Sequence, residues 1–189
     1  MIKKGIVIWI TGLSGAGKTT ISKKMFLYLK EKNPIHLDGD NLRDILSIRH
    51  KKTFTKKSRN KIGLLYSKMS KYLADQGHLV IISVMALDKS VFEWNRKNIK
   101  NYFEVYLKVS KRELVKRDPK GIYKKYKQGK VRYISGFDIS YDEPYKPNLI
   151  IEWNKKLTIK KTSELILKKI NEKYFSNSKK RLFKKKKTA

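Results

Sequence analysis

The chain has 189 residues, no cysteine, and 47 Lys and Arg against 16 Asp and Glu, for a formal net charge of +31. That length suits one domain with a sizeable core. The absence of cysteine excludes a disulfide framework or a thiolate metal site, and points to a reducing, cytoplasmic compartment. The longest apolar runs, "IVIWI" and "LVII", are too short to span a bilayer, and the first residues lead straight into a strand, so neither membrane anchoring nor a cleaved leader is expected. In chain order, "GIVIWIT" (5–11) reads as a buried parallel strand, and residues 18–32 as a helix with apolar positions at Ile21, Met25, Phe26 and Leu29. "IHLDGD" (35–40) reads as a short strand ending in carboxylates. Residues 57–77 read as a long helix closed by Gly77. "HLVIISVM" (78–85) and "NYFEVYLKV" (101–109) follow as strands, then a helix over 110–117 opened by the capping box of Ser110 and Glu113. "NLIIEW" (148–153) is a last strand, and residues 158–175 a final amphipathic helix. Alternation of this kind predicts an α/β fold, a parallel sheet covered on both faces, with ligands at the carboxyl ends of its strands.

Between the first strand and the first helix stands "GLSGAGKTT" (12–20), which matches G-x-x-x-x-G-K-[ST]. Gly12, Gly15 and Gly17, with Leu13, Ser14 and Ala16 between them, would let backbone amides turn inward onto phosphate oxygens. Lys18 would bring a cation to the β- and γ-phosphates, and the Thr19 hydroxyl a ligand for Mg²⁺, with Thr20 completing the loop's exit. The helix N-terminus adds its partial positive charge at the same point. The reading is therefore a nucleotide-phosphate site with a hydroxyl ligand for Mg²⁺.

Residues 117–148 have no steady period, carry four lysines within "KGIYKKYK", and are bounded by prolines. A stretch of this length inside a compact domain predicts a lid, about 117–147, whose cations close over bound phosphates. The charge is otherwise spread along the whole chain. That favours lysine as a general surface residue over a nucleic-acid interface. Only "SKKRLFKKKKTA" (178–189) forms a block, so residues 176–189 read as a basic, disordered tail on a domain of residues 1–175.

"GLSGAGKTT", "DGDNLR" (38–43), "RDPKGIYKK" (117–125) and "SGFD…YDEP" (135–144) occur in the order seen in adenylylsulfate kinases, and the resemblance covers roughly residues 3–170. It implies a three-layer P-loop NTPase fold and a homodimer, Mg²⁺ as cofactor, and ATP-dependent phosphorylation of the ribose 3′-hydroxyl of adenylylsulfate. On that pattern Asp38 holds the metal with Thr19, and Asp40 accepts the hydroxyl proton. Arg43 and Arg59 bind the acceptor's anion, Phe54 stacks on its base, and Ile134 covers the other face. Arg117 and Lys120 approach the ATP when the lid closes. The chain departs from the pattern at three places. Ala86 replaces a serine, so no phosphoserine intermediate is expected. Ile134 stands where many members have phenylalanine, a loss on the order of 1 kcal/mol of purine stacking. Ile62 takes the position of an asparagine. With the segment 94–109, these changes resemble a subgroup placed with surface-polysaccharide synthesis and similar to cytidine diphosphoramidate kinase. A pyrimidine nucleotide acceptor therefore stands as the alternative. A reading of another class is a catalytically silent, basic nucleotide- or RNA-binding protein; the intact Lys18, Thr19, Asp38, Asp40 and Arg43 speak against it.

Overall fold

The structure is a computed structural model, and it describes residues 5–175. Five parallel strands, β1 (Ile6–Thr11), β2 (Ile35–Asp38), β3 (Leu79–Val84), β4 (Tyr102–Lys108) and β5 (Leu149–Glu152), form one sheet in the order β2-β3-β1-β4-β5. β1 is central and buried along its whole length. Its alternate side chains feed two cores, because successive residues of a strand point to opposite faces. Ile6, Ile8 and Ile10 join one cluster with Met25, Phe103 and Ile166; Val7 and Trp9 join the other with Ile62, Tyr66 and Ile82. Helices α1 (Lys18–Tyr28) and α7 (Ile159–Phe175) pack together on the first face. Helices α3 (Lys56–Asp75) and α4 (Lys89–Asn98) cover the second. The parallel sheet layered between helices was the expectation from the alternating pattern.

Three stretches differ from that pattern. "IHLDGD" is extended only to Asp38; Gly39–Ile45 is the helix α2, because the Asp38 carboxylate accepts the amides of Asp40 and Asn41 and so starts a turn. Residues 89–98, of which 94–98 entered the reading only within the family-resemblance segment 94–109, are the helix α4, capped by Asp88 onto the Ser90 amide. After α5 (Lys111–Arg117), the aperiodic stretch expected to be a lid contains its own short helix, α6 (Ile122–Lys127). Asp118 starts α6 by accepting the amides of Tyr123 and Lys124. The first helix ends at Tyr28, and a 3₁₀ turn at Lys30–Lys32 completes the expected span. The tail at 176–189 lies outside the described residues.

Candidate active site

At the carboxyl edge of the sheet lies a cavity of about 1420 Å³, lined by the loop after β1, the end of β2, α2, the start of α3 and the lid. Gly12 lies beneath it, with φ 152°, where a Cβ would come within 2.7 Å of the Leu107 carbonyl oxygen. Only glycine tolerates both the backbone angle and that approach. Gly15 and Gly17 also have positive φ, and Gly17 caps α1. Ser14 through Thr20 line the cavity; Gly12 and Leu13 shape the loop from below.

Lys18 folds back over the loop and donates to the Leu13 carbonyl at 2.8 Å. Burial pushes its ammonium down to about 8; Lys120 pushes the same way, and Asp40 and Asp38 oppose it. Thr19 Oγ1 donates to Asp38 Oδ2 at 2.7 Å, and Ser83 Oγ donates to the same oxygen at 2.8 Å. Burial alone would raise the Asp38 carboxyl, but these two hydroxyls and the amides of Asp40 and Asn41 hold it below its ordinary value. Asp38 thus stays ionised at a strand end beside the phosphate loop. Asp40, in the first turn of α2, is half-exposed, and its Oδ2 pairs with Lys120. Arg49 lies against its other oxygen at 3.8 Å.

On the far side of Asp40, two guanidiniums lie against one aromatic ring. Arg43 stands 4.7 Å and Arg59 5.3 Å from the Phe54 centroid. Arg43 is 8% exposed, and its hydrogen bond goes to the Thr53 hydroxyl at 3.3 Å. Arg59 donates to the carbonyls of Phe54 and Tyr133, both at 2.8 Å. The hydrogen-bond partners named are hydroxyl and carbonyl oxygens, and the carboxylates act at longer range, Asp40 on Arg43 and Asp138 on Arg59. Desolvation, reinforced by Arg43, lowers Arg59 to about 10; desolvation also lowers Arg43. Ile134 faces the same cavity from the lid, and the Asp138 carboxylate fixes its turn by accepting the amides of Tyr133 and Ile134.

The segment 117–147 packs on the phosphate loop. Tyr123 is buried and donates through its hydroxyl to the Ser14 carbonyl at 2.8 Å. Lys120 meets Asp40, while Arg117 lies 4.5 Å from the Trp153 ring and is held by Glu113 at 2.9 Å. Every residue singled out from the sequence therefore borders this one cavity, except Gly12 and Leu13 beneath it. Ile62 and Ala86 border it too. Sequence reasoning missed Arg49, Tyr66, Ser83, Tyr133 and Trp153. Ser83 carried a signal, a lone hydroxyl in the apolar run "LVIISVM". Tyr66 and Trp153 sit in elements read only for their apolar pattern, and Arg49 and Tyr133 in stretches without one.

The chain matches the family described as Adenylylsulphate kinase over residues 4–152. It is 38% identical over 166 residues to the cytidine diphosphoramidate kinase of Campylobacter jejuni, covering 87% of this chain and 95% of that one. It is 32% identical over 172 residues to the adenylyl-sulfate kinase of Pseudomonas aeruginosa, covering 87% and 82%. Among solved structures, the Mycobacterium tuberculosis APS kinase CysC, in complex with AMPPNP and APS, superposes with a TM-score of 0.80 at 29% identity, covering 89% and 98%. The fold is that of a P-loop kinase, a phosphotransferase built on a nucleotide-binding loop. The chain belongs to the adenylylsulfate kinase family.

Proposed function

We propose that this enzyme transfers the γ-phosphoryl group of ATP to the ribose 3′-hydroxyl of an anionic nucleotide, and that the acceptor is a cytidine nucleotide of the cytidine diphosphoramidate type. One observation carries the reading: a phosphate loop with its lysine, a carboxylate and an arginine-flanked aromatic ring border a single cavity in that order. In this reading the loop amides and Lys18 hold the β- and γ-phosphates, and Lys120 and Arg117 approach the ATP from the lid. Thr19 and Asp38 supply hard oxygen donors, which suit Mg²⁺ held jointly with substrate phosphates. When bound, that ion neutralises charge on the transferring group. The acceptor oxygen bonds to phosphorus as the bond to ADP breaks, and Asp40 takes the hydroxyl proton. Arg43 and Arg59 hold the acceptor's phosphate end, with Phe54 and Ile134 against its base.

The cytidine acceptor is favoured by Ile134 and Ile62, which leave less aromatic and polar surface for a purine, and by the name of the Campylobacter relative. Adenylylsulfate is the second reading, supported by the Pseudomonas relative and by the mycobacterial structure's two ligands. Residues 1–175 are read as one kinase domain with a lid at about 117–147. A cytoplasmic location and a homodimeric assembly are carried over with the family reading; among the described residues no helix is long and apolar enough to cross a membrane. The discriminating experiment measures kcat/KM for both acceptors with the wild type and Ile134→Phe. A cytidine enzyme prefers the cytidine nucleotide and gains nothing from the added ring. A purine enzyme prefers adenylylsulfate and tightens on it.

A further inference from the structure

Asp40 has a cation on each carboxylate oxygen, and the two cations are held differently. Lys120 reaches Oδ2 from the segment proposed above to act as a lid. Arg49 stands at Oδ1 and is tied to the helix that carries Asp40. Its Nε and Nη2 form a fork onto the Asp44 carboxylate, with Nη2 at 3.0 Å from Oδ2, and Nη2 also donates to the Asp40 carbonyl at 2.8 Å. The remaining corner, Nη1, lies 3.8 Å from Asp40 Oδ1. A guanidinium can grip a carboxylate and a carbonyl while presenting a third donor edge; an ammonium cannot hold that shape. Bidentate geometry of this kind resists rotation better than a single contact does. The fork also holds the Asp44 carboxyl below its ordinary value and Arg49 above its own.

We propose that Arg49, held by Asp44, is a positioning residue that keeps the Asp40 carboxylate aimed into the cavity whichever way the lid stands. This rests on the reading of Asp40 as the proton acceptor. When Lys120 swings towards ATP phosphates, Asp40 loses its lid partner, and Arg49 keeps its rotamer. Arg49 acts through Asp40 and touches neither substrate.

The test is a double-mutant cycle on the full-length enzyme, with kcat, both KM values and melting temperature measured for Arg49→Ala, Arg49→Lys, Asp44→Asn and Asp40→Asn. Expected is a loss of kcat of roughly ten- to thirtyfold in Arg49→Ala, the scale on which misplaced catalytic groups act, with both KM values within about twofold. Arg49→Lys recovers little, because it cannot make the fork. Asp44→Asn shows part of the same loss. In an Asp40→Asn background, Arg49→Ala costs no further activity. A rise in acceptor KM at unchanged kcat would make Arg49 an anion ligand and overturn the inference. So would a full additional loss in the Asp40→Asn background, which would mark a role independent of Asp40. If Asp40→Asn itself turns over like the wild type, the proton-acceptor reading falls and this inference with it; the single variant separates that failure from the others.

Discussion

Lys18 is at once a phosphate ligand by sequence and a partly desolvated base by structure. Lys18→Ala removes the cation proposed to meet the β- and γ-phosphates and nothing from either core, so kcat should fall at least about 100-fold with no loss of melting temperature. Activity within tenfold of wild type would refute the assignment. Its lowered value of about 8 also fixes a pH dependence. Above that pH the ligand-free ammonium is mostly neutral, and phosphate binding must recharge it. Nucleotide binding should therefore take up a proton above about pH 8 and weaken as pH rises further, which calorimetry in buffers of different ionisation enthalpy measures. Lys18→Met should abolish the uptake. The linkage has the opposite sign for the empty fold: burial of the charged ammonium costs stability fully below about pH 8, and the cost fades as pH approaches 10.5. Arg43 is the matching residue on the acceptor side. Arg43→Ala leaves the acceptor's anion without its buried clamp, so acceptor KM should rise more than tenfold, on the scale of a lost charged hydrogen bond, with the KM for ATP unmoved.

Among the elements, the lid depends on a few directional contacts. Tyr123→Phe deletes only the hydroxyl that reaches the Ser14 carbonyl, so it should cost about 1 kcal/mol. It should also speed limited proteolysis between residues 117 and 147 in the absence of ATP. Within the sheet, Glu104 is fully buried on β4 and paired with Arg96 of α4, with the Tyr102 hydroxyl donating to it at 3.3 Å. Arg96→Ala strands that charge, and a chemical melt should show a loss of about 3 kcal/mol. The long elements were legible because apolar periodicity is a property of the chain itself: "GIVIWIT", "LVIISV" and residues 56–75 declare their burial. The short helices were not. Residues 39–45 carry no apolar stripe long enough to register, and their helix depends on one carboxylate accepting two amides. The helix at 122–127 depends in the same way on Asp118, a contact between residues that composition does not reveal. The candidate site divides along the same line. Its phosphate loop and its Asp and Arg residues stood in contiguous motifs. Arg49, Tyr66, Tyr133 and Trp153 join it only because α2, α3, the lid and β5 converge on one edge of the sheet.

For the whole molecule, the strand order places the carboxyl ends of β1, β2 and β3 side by side, and both proposed substrates meet there. Both are polyanions, and the chain carries a net charge of +31. Diffusional capture should therefore weaken with ionic strength: kcat/KM for the acceptor should fall steeply between low and physiological salt, while kcat holds. Deleting residues 178–189, which lie outside the described structure, should leave kcat unchanged, since a like-charge block offers little apolar surface to bury. The most direct test of the proposed chemistry follows one phosphorus atom. The purified enzyme is incubated with γ-labelled ATP, Mg²⁺ and either the cytidine nucleotide or adenylylsulfate, and the position of the label is read by digestion with a 3′-specific nucleotidase. Label on the nucleotide, released by that digestion and absent with Lys18→Ala, is the predicted result. Label that stays on ATP, appears only as inorganic phosphate, or survives the digestion would contradict it.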